Sequence, residues 1–250
     1  MRNDRLHIFQ DAVAVAKAMA HDFEEAVNEA LKRKERVDVA ISGGSTPVPF
    51  FHRLTSEPFG SRIPWEHVHF FWVDERCVPP GDPESNYGMT KRLLLDHIDI
   101  PEGNIHRMRG ENDPSEEAVR YAHEMKRWVA LKDDAIPVFD WIVLGMGVDG
   151  HTASLFPSSP LLNESVALCS TAQHPESGQH RVTLTFPVID HGKKVIFQVT
   201  GKEKAEIVAQ ILGETRGSEK FPASHVRPVN SALEWYLDES AAGTLLTEQR

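Results

Sequence analysis

An α/β fold with a largely parallel central sheet flanked by helices is what this 250-residue chain predicts. Three observations carry the prediction. Segments of helical period alternate with short apolar runs along the chain, the pattern of repeated βα units. Several of those runs end on clusters of glycine, hydroxyl or charged residues, as strands do when their carboxyl ends face a ligand crevice. The hydrophobic content of 40% suffices for a substantial core, and neither an internal repeat nor a Pro/Gly/Ser-rich linker divides the pattern, so residues 1–250 read as one domain.

In chain order, Ala12, Val13, Ala16, Met19, Ala20, Phe23, Val27, Ala30 and Leu31 recur at helical spacing and predict one long amphipathic helix. Strands are expected at Val37 to Ile41 and Val68 to Val73, then helices near Tyr87 to His97 and Ser115 to Leu131. Further strands are expected at Ile142 to Leu144, Val166 to Cys169, Val182 to Phe186 and Val195 to Val199, followed by a helix over Lys202 to Leu212. The polar, turn-rich segment Gln173 to Gln179 reads as a mobile loop.

Composition excludes several classes. Lys plus Arg number 27 against 37 Asp plus Glu, and no basic patch stands out, so nucleic acid is not an expected partner. Cys77 and Cys169 lack disulfide or zinc spacing, which fits a reducing, cytoplasmic setting. The charged segment Met1 to His7 has no signal-peptide apolar core, and no stretch reaches transmembrane length, so no membrane is expected. A monomer is the expected state.

The most informative segment runs from Asp140 to Pro157, where a buried apolar run delivers Asp149 and His151 on a glycine-rich turn. An acid and an imidazole at a strand's carboxyl end suit proton transfer. Gly145, Gly147 and Gly150 also spell the dinucleotide fingerprint, but Pro157 and Pro160 follow too soon for the crossover helix that a nicotinamide site needs. Ser42 to Pro47, SGGSTP, follows a strand and reads either as a phosphate cradle or as an ordinary glycine turn; it lacks the Walker ending. Asp74, Glu75 and Arg76 form a third group, read either as anion and hydroxyl ligands at a cleft or as a surface ion pair. Cys77 beside Arg76 raises the idea of an activated thiol, without a histidine partner. His67 and His69 suit packing better than a metal. Arg181 opens a strand, and Lys202 and Lys204 follow another; alone each reads as solvated surface, together as cations around one anion.

The ordered set SGGSTP, DERCVP with SNYG, GMGVDGHTASLFP, RVTLTFPVI and GKEKA resembles the 6-phosphogluconolactonases of the glucosamine-6-phosphate isomerase/6-phosphogluconolactonase superfamily, over nearly the whole chain. The resemblance implies a Rossmann-like sheet of the glucosamine-6-phosphate deaminase and ribose-5-phosphate isomerase type. It implies His151 as catalytic base with Asp149 as its neighbour, and Gly43, Gly44, Ser45, Asp74, Arg76, Arg181 and Lys204 as substrate ligands; Lys204 rather than Lys202 matches the family position. The implied reaction is hydrolysis of 6-phospho-D-glucono-1,5-lactone in the oxidative pentose phosphate pathway, with no metal and no organic cofactor. Backbone donors of the Gly145 to Gly150 turn are expected to receive the oxyanion. Two alternatives accompany this reading. Deaminases resemble DGHIAFNE after the shared turn, and Phe156 stands here in place of their glutamate. Sugar-phosphate sensors add a DNA-binding helix-turn-helix, in place of which this chain starts with a single long helix.

Overall fold

The computed structural model describes residues 4–133 and 135–248, so the first three residues of the Met1 to His7 stretch lie outside the described residues. The chain begins with strand β1 (Arg5–Phe9), helix α1 (Ala12–Leu31), β2 (Val37–Ile41), α2 (Val48–Thr55) and α3 (Phe59–Arg62). It continues through β3 (Val68–Trp72), β4 (Asp74–Arg76), α4 (Asn86–Leu93), β5 (Ile105–His106) and α5 (Pro114–Trp128). A two-stranded ribbon of β6 (Leu131–Lys132) and β7 (Ile136–Pro137) precedes β8 (Trp141–Leu144). Then come β9 (Cys169–Gln173), β10 (His180–Leu184), α6 (Phe186–Ile189), β11 (Val195–Val199), α7 (Ala205–Leu212), β12 (Leu233–Asp238) and α8 (Glu239–Glu248).

Seven strands form the central sheet in the order β1-β12-β11-β8-β2-β3-β5, every pairing parallel. Parallel strands are covered on both faces, and β2, β3, β8 and β11 are buried at every residue. Alternation sorts their side chains between two apolar clusters. Phe70, Trp141 and Val143 face Phe23 and Val27 of α1, with Phe50 and Trp65. Phe71, Ile142 and Leu144 face Tyr121 and Met125 of α5, with Phe139 and Phe197. Asp11 caps α1 by accepting the Ala14 N–H at 2.8 Å, which sets where that helix starts.

Several elements differ from the sequence reading. The edge and near-edge strands β1 and β12 were absent from it. The helix expected to Leu131 ends at Trp128, where Val129 turns extended. The helix expected over Lys202 to Leu212 is a 3-10 turn followed by α7, and that expected over Tyr87 to His97 is α4 followed by a 3-10 turn. The strand expected at Val166 to Cys169 begins only at Cys169, with Val166 exposed, and that expected at Val182 to Phe186 starts at His180. These two strands join β4 in a separate antiparallel sheet, order β4-β10-β9. The connection from Gln173 to His180 is far too short for a parallel crossover, which takes a dozen residues or more, so it folds back as a hairpin. Its tip is hydrogen-bonded rather than an open loop: the His174 N–H donates to the Gln179 carbonyl at 2.9 Å and the Gly178 N–H to the His174 carbonyl at 2.9 Å.

Candidate active site

Strands β2 and β8 lie side by side, yet the chain leaves β2 toward β3 and leaves β8 toward β11, in opposite directions across the sheet. That reversal is a topological switch point, and a ligand crevice opens there beyond the carboxyl ends of the strands. The two strand ends are stapled by the buried Ser42 hydroxyl, which donates to the Val143 carbonyl at 2.8 Å and accepts the Gly145 N–H at 3.1 Å. Above the staple lies a cleft of about 250 Å³, lined by the Ser42–Thr46 loop, Asp74, Arg76, Asn86, the Gly145–Gly147 turn, His151, Arg181 and Lys204. Eight of the nine residues singled out from the sequence therefore share one cavity. The ninth, Asp149, stands behind His151.

The Asp149–His151 pair touches: Asp149 Oδ1 lies 2.5 Å from His151 Nδ1 and also accepts the His151 N–H at 3.1 Å. An ionised carboxylate only accepts, so Nδ1 carries the hydrogen and a neutral imidazole presents an unprotonated Nε2. Burial pushes the Asp149 carboxyl up, but the hydrogen bond and charge of His151 outweigh it and leave Asp149 below its ordinary value. The pair fits because residue 147 is glycine. A Cβ there would stand 2.1 Å from His151 Nδ1 and 2.5 Å from Asp149 Oδ1. The turn's glycine amides are committed elsewhere: Gly145 to Ser42, Gly147 to the His151 carbonyl at 2.8 Å, and Gly150 to the Gly147 carbonyl at 3.1 Å. These three glycine N–H groups build the turn, which narrows the oxyanion expectation to the other backbone donors of the Gly145 to Gly150 turn. No helix opens at Gly150, so the dinucleotide fingerprint lacks its helix.

Across the cleft, the antiparallel pairing sets Arg181 directly opposite Arg76. Like charges at such a position repel. Both Nε atoms are buried without a hydrogen-bond partner, and burial followed by the Arg76 charge lowers the pKa of Arg181. Arg76 donates through Nη1 to the Glu84 carbonyl, so it is held by backbone and not by an acid, which removes the surface ion-pair reading. Lys204 lines the cleft while Lys202 is exposed outside it; burial lowers the pKa of Lys204 against the raising charges of Glu203 and Asp149. A partly desolvated cluster of cations, none of them in a direct ion pair among the described residues, suits a phosphate.

Asp74 is buried at the cleft wall, where Oδ2 accepts the Ser154 hydroxyl at 2.7 Å and Oδ1 accepts Asn86 Nδ2 at 3.3 Å. Its remaining lone pairs can receive ligand hydroxyls. Glu75 serves the frame: its carboxylate accepts the N–H groups of Arg76, Asn86 and Tyr87 at 2.7, 2.8 and 2.8 Å and the Ser85 hydroxyl at 2.9 Å. That arrangement brings Asn86 against Gly43, where a Cβ would lie 1.9 Å from Asn86 Oδ1. Asn86 had no role in the sequence reading; the SNYG motif was its only signal. Gln198 was missed too: it is buried beneath the loop and donates to the Thr46 carbonyl at 3.0 Å.

Other groups fall outside the cleft. Burial and then the Glu75 charge push the Cys77 thiol up to about 11, the reverse of activation. His69 Nδ1 lies 2.9 Å from His106 Nε2, and His106 Nδ1 lies 2.8 Å from Glu124 Oε1, an internal chain consistent with packing. Among the described residues no group of three or more His, Cys, Asp and Glu could hold a metal ion, and no helix is long and apolar enough to cross a membrane.

The family model for glucosamine-6-phosphate isomerases/6-phosphogluconolactonase matches residues 10–235. A Haemophilus influenzae 6-phosphogluconolactonase is 45% identical over 211 residues, covering 84% of this chain and 88% of that protein. The crystal structure of devB protein superposes with a TM-score of 0.89 at 43% identity, covering 97% of this chain and 99% of that one. The Trypanosoma brucei 6-phosphogluconolactonase superposes with a TM-score of 0.85 at 27% identity, covering 97% and 98% of the respective chains.

Proposed function

The chain belongs to the glucosamine-6-phosphate isomerase/6-phosphogluconolactonase family and hydrolyses a sugar-phosphate lactone of the pentose phosphate pathway, and we propose that His151 is the general base of that reaction. The observation that carries the assignment is the Asp149–His151 contact at the mouth of a cleft whose far wall is cationic. In this reading Arg76, Arg181, Lys204 and the Gly43–Gly44–Ser45 loop hold the phosphate of 6-phospho-D-glucono-1,5-lactone, while Asp74 orients sugar hydroxyls. Neutral His151 takes a proton from water through Nε2 as the water oxygen bonds to the lactone carbonyl carbon. Collapse of the tetrahedral species breaks the bond to the ring oxygen, which receives that proton from the imidazolium. The product is 6-phospho-D-gluconate. Asp149 fixes the tautomer and stabilises the imidazolium between the two steps.

The reading takes residues 1–250 as a single domain acting as a monomer in the cytoplasm, without nucleic acid. Free thiols at Cys77 and Cys169 support the reducing setting. Deamination is disfavoured because Phe156, which cannot relay a proton, packs where deaminases carry an acid. The test is a coupled assay on freshly made phosphogluconolactone with glucosamine 6-phosphate as control. Lactone disappearance well above the spontaneous rate, without ammonia release, is expected; ammonia from the control in place of lactone turnover overturns the reading.

Gly147 offers a sharper local test. Gly147→Ala forces the Asp149–His151 pair apart and is expected to lower kcat by roughly 10- to 10²-fold while the phosphate end still binds, on the scale by which displaced catalytic groups lose rate. Parental kcat in that variant would show that the pair's geometry is immaterial.

A further inference from the structure

Phe156 is buried at 3% exposure yet belongs to neither apolar cluster of the core. Its ring neighbours are two histidines. The His151 ring lies against it at a centroid distance of 5.0 Å and an angle of 50°, and the His174 ring meets it edge-on at 5.1 Å and 74°. We infer that Phe156 is a positioning residue for the reaction: with His174 as its buttress, it holds the plane of the His151 imidazole so that Nε2 points at the attacking water.

The Asp149 bond grips His151 at one ring atom, and a ring held at one point can still pivot about it. A ring packed against it at a tilt limits that freedom, and effective general-base catalysis needs the base held within a fraction of an ångström of its productive geometry. His174 is itself anchored. Its Nδ1 accepts the N–H groups of Glu176 at 3.3 Å and Ser177 at 3.2 Å, so its ring is set by the hairpin tip between β9 and β10. The same hairpin carries Arg181 into the cleft on β10, and Gln179 near its tip donates to Glu84 Oε2 at 2.9 Å, the residue whose carbonyl holds Arg76. One element thus sets the base through Phe156 and the phosphate cations through Arg181 and Arg76.

The inference rests on His151 being the base, and the experiment separates the two. Steady-state kinetics are measured for Phe156→Leu, His174→Ala, His174→Phe and His151→Ala, with the dissociation constant of 6-phosphogluconate taken by calorimetry. Phe156→Leu keeps an apolar filler but loses the ring contact, and kcat is expected to fall roughly tenfold with KM and product affinity close to parental. His174→Ala is expected to lower kcat about threefold, and His174→Phe, which restores an aromatic edge, to recover it. The Nδ1–H proton resonance of His151 expected in the parent should broaden in Phe156→Leu, a change that loss of global stability alone would not produce. A folded Phe156→Leu enzyme with parental kcat overturns the inference; if that variant does not fold, parental kcat in His174→Ala does so. High residual activity in His151→Ala removes the base assignment instead.

Discussion

His151→Ala is expected to lose between roughly 10²- and 10⁴-fold in kcat above the spontaneous hydrolysis of the lactone, the range that one positioned general base supplies. Affinity for 6-phosphogluconate is expected to change little, because the cations proposed to hold its phosphate lie on other elements. The fold should survive: the His151 side chain is 31% exposed and its polar partner is Asp149, itself 40% exposed, so its removal leaves neither a deep cavity nor a fully buried charge. One titration accompanies the loss. Burial raises the Asp149 carboxyl and the His151 imidazole lowers it; with the imidazole gone its hydrogen bond and charge are lost, the backbone N–H donors stay, and the Asp149 pKa rises. A lactone assay with the uncatalysed rate subtracted, together with a carbonyl-carbon NMR titration of Asp149, reads both effects. Turnover equal to the parent would end the assignment of His151 as base.

Why the Asp149–His151 pair was legible in the sequence while its surroundings were not has a physical reason. Asp149 and His151 follow a short apolar run within one turn, and the Ser42–Thr46 loop follows another, so local order already places both at strand ends. The joining of those ends was not local. It depends on β2 and β8 being neighbours although they are about one hundred residues apart, and the Ser42 staple that closes the seam reads as one more hydroxyl in a glycine turn. The antiparallel sheet was hidden for a related reason: β9 and β10 are short runs of mixed polarity with no pattern of their own, and only the shortness of their connection distinguishes a hairpin from a crossover. Strand β1, with the sequence RLHIF, merges into the helical pattern that follows it. Gln198 sits inside a five-residue buried strand where a single amide gives no periodic signal. Cys77 shows the opposite error, an apparent electropositive neighbourhood that burial and Glu75 reverse.

The cationic wall yields a result that separates binding from folding. Arg181 and Arg76 face each other across β10 and β4 with buried, unpartnered Nε atoms. A pair of like charges in that position lowers the stability of the ligand-free protein, on the order of a few tenths of a kcal/mol to 1 kcal/mol. A phosphate dianion between them reverses the sign, since each guanidinium then gains a charge-assisted partner worth about 1.5–3 kcal/mol. Arg181→Ala is therefore expected to raise KM and weaken 6-phosphogluconate binding by roughly 10- to 10²-fold, the equivalent of one such bond. The melting temperature of the ligand-free variant should equal or exceed that of the parent, because burial and the Arg76 charge, which disfavour the Arg181 guanidinium, outweigh the attraction of Asp74, Glu84 and Glu75. Added 6-phosphogluconate should raise the parent's melting temperature more than the variant's, since ligand stabilisation follows affinity. Lys204→Ala is expected to act in the same direction on affinity. A ligand-free Arg181→Ala enzyme that is clearly less stable than the parent, yet binds 6-phosphogluconate equally well, would mean that the opposed arginines serve the fold and that the phosphate sits elsewhere.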